Sequence, residues 1–333
     1  MPLDLLRQVS RTFSLSLAIL PRSLRGPIGL AYLLARAADT IADTRLVDRR
    51  DRLRQLEALR DALATGAVAP RLTGLAAVQD DPAERRLLER LPECFAALER
   101  LAATDAARVR MVLATITEGM IFDLTHFPGD DGGGLRALES LDDLDRYTYL
   151  VAGSVGEFWT EIHVAHRRRL ARWDLPLMKT RGARFGKALQ MTNVLRDLPR
   201  DLRIGRCYLP RPELQTLGLA PADLLDPRSA TRVRPLLDRL LRLTLDHYEV
   251  AWRYTLEIPR AEVRMRLACA WPLLIGLGTL ELLATSHEFL VPDRRIKLSR
   301  AAVRGLLARS ALTVWSNRTL AADAARVRRR IAV

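Results

Sequence analysis

Two aspartate pairs, Asp39/Asp43 in DTIAD and Asp197/Asp201 in DLPRD, share a four-residue spacing in distant parts of a 333-residue chain. In a helix, residues i and i+4 lie on one face, so each pair presents two carboxylates in the same direction. Like charges at that spacing cost a helix roughly 0.2–0.5 kcal/mol, so two such pairs need a reason or an accident. The chemistry they suit is Mg²⁺ binding: hard oxygen ligands, one or two carboxylates, and a shell completed by water and phosphate oxygens. Two facing pairs would grip a Mg²⁺ cluster from both sides of a cavity, over a diphosphate whose departure the metal assists as a Lewis acid. A single D-x-x-x-D is common on solvated helices, so the neighbouring residues decide. Tyr32, Arg36, Asp39 and Asp43 form one helical stripe, and Gln190, Asn193, Asp197 and Asp201 form another. Both stripes run through apolar surroundings (AYLLARAADTIAD and FGKALQMTNVLRD), which suits the lining of a cavity better than a solvated face.

These motifs need long helices to hold them. Apolar residues recur at helical spacing almost throughout, predicting helices over about 3–19, 26–44, 49–65, 83–101, 104–125, 141–168, 177–203, 230–256, 261–286 and 297–327. Residues 66–82 and 205–227 read as loops, and FPGDDGGG at 127–134 is the strongest breaker. Pro199 lies inside the second motif, where it removes a backbone donor and should bend or end the helix. No strand and no repeat beyond the two motifs is evident. The expectation is an all-α fold, one domain over 1–333 with its helices around a central space.

Composition bounds the rest. Aromatic content is 5%, and Leu, Ala and Arg dominate, which favours helices. Cys94, Cys207 and Cys269 match neither a disulfide framework nor a zinc spacing, pointing to a reducing, cytoplasmic compartment. A net charge of +14 attracts anions: nucleic acid, headgroups or a phosphorylated substrate. A compositional bias towards Arg gives the same charge with no such partner. No nucleic-acid-binding motif accompanies the basic runs, so nucleic acid is not favoured. The most apolar stretch, 268–284, contains Pro272 and Glu281 and reads as a buried core helix rather than a membrane span. The N-terminus lacks the pattern of a signal peptide.

Four stretches in order resemble the squalene and phytoene synthase family: SRTF (10–13), YLLARAADTIADT (32–44), YTYLVAGSVG (147–156) and QMTNVLRDLPRDLRIGRCYLP (190–210). These are head-to-head prenyltransferases with an all-α isoprenoid synthase fold, and the wording is most like bacterial squalene synthases. The resemblance implies a single-domain helical bundle around a central cavity. It implies two farnesyl diphosphates joined through presqualene diphosphate, with Mg²⁺ held by Asp39, Asp43, Asn193, Asp197 and Asp201. NADPH is the implied reductant where squalene is the product.

By the same resemblance, Arg36 and Arg196 contact diphosphate, as do Ser10 and Arg11, with Phe13 and Tyr32 also at the substrate. Gln190 precedes Asn193 by one turn; Arg206 and Tyr208 close over the site. Tyr147 handles a proton or cation, and Val151, Ala152, Gly153 and Gly156 keep their helix slim for a prenyl chain. Close helix packing would explain those small residues equally well. Val9 stands where some relatives have histidine, and in FWTEIH (158–163) a core Trp159 and a surface His163 are expected. The nearest alternatives are dehydrosqualene or phytoene synthase and a presqualene diphosphate synthase that stops halfway. Head-to-tail elongation or cyclisation fits poorly, because Ala38 and Arg196 stand where adjacent aspartates would be needed. A non-enzymatic assembly factor would have no use for two intact motifs. Membrane contact, if any, is expected to be peripheral, through the basic surface at the inner membrane. Oligomeric state cannot be read from the sequence.

Overall fold

The computed structural model describes residues 3–9, 17, 20–131, 134–292, 294 and 296–331. Ser10, Arg11 and Phe13 lie outside the described residues. Helices dominate, in two compact units: Met1–His126 with Glu157–Leu175, and Phe127–Gly156 with Pro176–Val333.

In the first unit, α1 spans Leu3–Val9 and α2 spans Arg22–Asp43. The buried face of α2 is the apolar set Leu30, Leu33, Leu34, Ala37, Ala38 and Ile41. Its C-terminus is tied down: Thr44 Oγ1 donates to the Thr40 carbonyl at 2.7 Å, and the buried Arg52 donates to the Ala42 carbonyl at 2.7 Å. A cation on the last carbonyls suits the negative end of the helix dipole. Helix α3, Arg49–Thr65, carries Arg52 and is bounded by an Asp48 cap and by Gly66 at φ 75°. The expected loop at 66–82 contains a short helix, α4, over Thr73–Val78. The expected helix at 83–101 is two, α5 (Pro82–Glu89) and α6 (Leu91–Glu99), broken at Arg90 because Pro92 cannot bond back into the preceding turn. Helix α7, Ala103–His126, packs against α2 and α3.

In the second unit, α8 (Leu141–Thr148) starts at a Ser140 cap and leads into a π-helical turn, Tyr149–Gly153. Helix α9, Ser154–His166, begins in this unit and from Glu157 on belongs to the first, and α10 runs from Leu175 to Arg203. Pro199 does not end α10; the helix continues through it to Arg203. Two glycine contacts set how closely the π turn and α10 approach. A Cβ on Gly186 would lie 2.0 Å from the Ala152 carbonyl oxygen, and one on Gly156 would lie 1.8 Å from that of Gly182. Neither backbone could stay in place with a larger residue.

Two short strands, β1 (Arg136–Ala137) and β2 (Arg206–Cys207), pair in parallel, correcting the expectation of no strand. Two residues are too few for an alternating pattern to register. The expected loop at 205–227 contains α11, Arg211–Thr216. Helices α12 (Ala230–Glu257) and α13 (Val263–Thr285) supply much of this unit's core. Among the described residues α13 is the one helix long and apolar enough to cross a membrane. Its Arg266 is wholly buried, donating to the carbonyls of Ile258 and Val314 and to Asn317 Oδ1. The helix predicted over 297–327 is two, α14 (Arg300–Thr313) and α15 (Asn317–Arg328), separated at Val314–Ser316, with the Ser316 hydroxyl capping α15.

Candidate functional site

On α2, the stripe Tyr32, Arg36, Asp39 and Asp43 is the solvent-accessible face, between buried Leu33, Leu34, Ala37, Ala38, Ile41 and Ala42. Arg36 joins this stripe to α5. Its NH1 donates to Asp39 Oδ2 at 2.6 Å and its NH2 pairs with Glu84. Glu84 also accepts from Thr40 Oγ1 at 3.2 Å. Desolvation pulls the Arg36 pKa down, but the carboxylates of Asp39 and Glu84 outweigh it and hold the guanidinium firmly charged. Glu84 is in the first turn of α5, whose N-terminus is fixed by Asp81 accepting from the Ala83 and Glu84 amides.

On α10, Gln190, Asn193, Asp197 and Asp201 likewise remain accessible between buried Met191, Thr192, Val194, Leu195, Leu198 and Leu202. Asn193 Nδ2 donates to Gln190 Oε1 at 3.3 Å, which leaves Oδ1 as the atom Asn193 offers a cation. Arg196 grips Asp197 with both prongs, Nε to Oδ1 at 2.8 Å and NH2 to Oδ2 at 2.5 Å. That bidentate contact raises the Arg196 pKa, against desolvation and with help from Asp201. Thr192 is anchored from behind by the buried Tyr248 hydroxyl at 2.9 Å.

Asp197 lines a cavity of about 600 Å³ whose wall is strongly basic: Arg196, Arg200, Arg203, Arg294 and Lys297, with Pro199, Ile204 and Ile296. Arg294 is paired with Glu288, and the excess of cations that remains makes this an anion-attracting space. Beside β2, which carries Arg206, the Tyr147 and Tyr208 rings stack at 4.8 Å, and Phe127 meets Tyr208 edge-on at 5.1 Å. Val151, Ala152 and Gly153 form the π turn that packs against Ala183 and Gly186.

A family model described as squalene/phytoene synthase matches residues 6–302, across both units. The chain belongs to the squalene/phytoene synthase family. Within that family it is similar to a bifunctional lycopene cyclase/phytoene synthase of Colletotrichum graminicola, 29% identical over 73% of this chain and 40% of that protein. It is also similar to a squalene synthase of Eremothecium gossypii, 26% identical over 88% of this chain and 64% of that one. The chain thus spans less than two thirds of either relative's length. Among solved structures, TcSQS in complex with the ligand BPH1237 matches at a TM-score of 0.76 and 23% identity, over 98% of this chain and 94% of that one. The chain has the all-α helical-bundle fold of that structure.

Several features of this family member are not legible from its motifs. Glu84 lies far from DTIAD in sequence, and only the D-P-x-E start of its helix marks it as fixed in place. Arg294 and Lys297 come from a different part of the chain than Arg196, and the RRIK run at 294–297 is their sequence signal. His163 is not on the surface: it is fully buried, its Nδ1 sits 2.8 Å from the Trp159 carbonyl oxygen, and burial lowers its pKa to about 4. Trp159 remains partly exposed and is tilted over the His163 ring. Both expectations for this stretch are thus reversed: His163 is the buried residue and Trp159 the partly exposed one.

Mg²⁺ fits the donor set. Each motif offers two carboxylates, and the side chains of Asp39 and Asp197 are 42% and 36% exposed, so a hydrated ion can reach them. Among the described residues no three His, Cys, Asp or Glu side chains converge on one point. An ion here would therefore draw the rest of its shell from water and phosphate oxygens, as Mg²⁺ does.

Proposed function

We propose that the protein catalyses head-to-head condensation of two farnesyl diphosphates through presqualene diphosphate to squalene, using Mg²⁺ and NADPH. The observation that carries this reading is the basic cavity at the second motif. It places five cationic side chains around Asp197, a combination suited to a diphosphate and its counter-ion together. Family membership supports the same class of reaction.

In this reading Asp39, Asp43, Asp197 and Asp201, with Asn193, hold the ions, and Arg36 and Arg196 leave their aspartates to take up diphosphate oxygens. When bound, Mg²⁺ supplies charge neutralisation for the departing diphosphate and NADPH supplies the final hydride. The allylic C–O bond of one substrate breaks, and the double bond of the other attacks the resulting cation. Loss of a proton closes a cyclopropane ring, giving presqualene diphosphate. Ionisation of that intermediate, rearrangement and hydride capture give squalene. Tyr147, backed by the Tyr208 ring, presents a hydroxyl and a π face to a cation. The π turn at Val151–Gly153 presents small side chains to a prenyl chain.

The similarity to phytoene synthases favours a second reading, the same condensation ended by proton loss, giving dehydrosqualene or, from geranylgeranyl diphosphate, phytoene. Incubation of the purified protein with farnesyl diphosphate and Mg²⁺, with and without NADPH, followed by mass analysis, separates the two. Squalene formed only with NADPH is the expected result. Dehydrosqualene or presqualene diphosphate in both reactions moves the protein to the second reading or to half the reaction. No product from either prenyl diphosphate overturns the enzymatic reading.

A further inference from the structure

Helix α14 departs from the usual pattern of a surface helix. Its inward stripe is apolar, with Val303, Leu306 and Leu307 half-buried, Val314 buried just beyond its end, and Ser310 accepting from Trp271 Nε1 at 3.0 Å. Its outward face should then be polar. Instead it reads Ala301, Arg304, Gly305, Ala308 and Leu312, extended by Trp315 in the following turn, all exposed. Leu312 is 82% exposed and Trp315 58%. The sequence that carries this apolar strip is basic. Residues 294–322 contain seven Arg or Lys and no Asp or Glu. Among the described residues no carboxylate pairs with Arg300, Arg304 or Arg318.

We infer that this face of α14, with Trp315, docks on the surface of an anionic phospholipid bilayer. Such a surface offers phosphate charge to the arginines and an apolar layer to Leu312 and the alanines. The Trp indole suits the interface between the two. Nucleic acid would satisfy the arginines and leave Leu312 in water. A second copy of this face would bring unpaired arginines against one another. The inference stands apart from which product the enzyme makes. A bilayer is nonetheless a fitting place to discharge a lipid-soluble one.

The test is co-sedimentation of the full chain with vesicles of phosphatidylglycerol and phosphatidylcholine, against vesicles of phosphatidylcholine alone. Anionic vesicles should bind it at least roughly tenfold more tightly, and L312E/W315E should remove that advantage while the thermal midpoint stays unchanged. Should the double variant fold poorly, brominated lipid provides a second reading on the unaltered chain. It should quench emission that disappears in W315F. No vesicle binding, binding that survives L312E/W315E, or no quenching assignable to Trp315 overturns the inference. So does tighter retention on a DNA duplex than on vesicles, or a dimer that L312E/W315E dissociates in a protein that ignores lipid.

Discussion

The aspartate pair on α2 and the pair on α10 share a spacing, a half-exposed stripe and an arginine, yet the two arginines are engaged differently. Arg36 divides its guanidinium between Asp39 and Glu84, so at the first motif one arginine is shared by two carboxylates. Arg196 commits both prongs to Asp197, and the cavity beyond adds Arg200, Arg203, Arg294 and Lys297. The first motif is thus braced by a carboxylate from another helix, whereas the second borders a basic cavity. In the proposed reaction the first motif would hold an ion, and the second an ion together with the diphosphate that its basic cavity attracts. That division of labour suits a reaction in which ion and diphosphate must arrive together.

The largest effect should come from removing one carboxylate charge in either motif. Asp39→Asn and Asp197→Asn should each lower turnover by a factor on the order of 10²–10³, the scale of losing one preorganised electrostatic contact to a developing charge. Helicity should be unchanged. The comparison predicts a difference in pyrophosphate binding measured without Mg²⁺. Asp197→Asn leaves the basic cavity more positive and should bind pyrophosphate more tightly, whereas Asp39→Asn leaves Arg36 paired with Glu84 and should change it little. Full activity in either variant, or equal pyrophosphate affinity in both, breaks the comparison.

A smaller effect should follow from Glu84→Gln. Without the Glu84 charge, Arg36 pairs with Asp39 alone and competes harder with an incoming ion. A hydrogen bond to a charged group contributes about 1.5–3 kcal/mol, so the Mg²⁺ concentration for half-maximal rate should rise by roughly tenfold or more, with the rate at saturation preserved. A fall in the saturated rate with no change in Mg²⁺ demand would make Glu84 something other than a brace.

How much of this could be read beforehand follows from the range over which each interaction acts. The two stripes were legible because helical periodicity is local: Asp39 to Asp43 and Asp197 to Asp201 need only one turn of helix. The surroundings were not, because Glu84, Arg294 and Lys297 reach their motifs only through tertiary packing. The π turn at Tyr149–Gly153 also has no compositional mark; small residues there predicted a slim helix, not a change of winding. The breaks at Arg90 and at Val314–Ser316 show the same limit in reverse. Periodicity ran on through both, and a Pro92 clash and a serine cap decided where the helices stop. Pro199 went the other way: the helix runs on through it to Arg203.

The smallest effect should sharpen the contrast between the two braces. Where Glu84 steadies α2 with charge, Tyr248 steadies α10 with a neutral bond. The Thr192 hydroxyl donates to the Ala188 carbonyl at 2.8 Å, so the Tyr248 O–H is the donor to Thr192 Oγ1. Burial pushes the phenol pKa up, keeping that proton in place at any working pH. Gly276 makes the room: a Cβ there would lie 1.9 Å from the Tyr248 oxygen. Tyr248→Phe removes one buried neutral hydrogen bond and leaves Thr192 its other partner, so it should cost about 1 kcal/mol of stability by denaturant titration. Because no charge is involved, that loss should be the same at low and high salt, whereas the Mg²⁺ shift in Glu84→Gln should shrink as salt screens Arg36 from Asp39. A salt-dependent loss in Tyr248→Phe would mean that the phenol acts on the Arg196–Asp197 pair, and the two motifs would then be braced by the same kind of force.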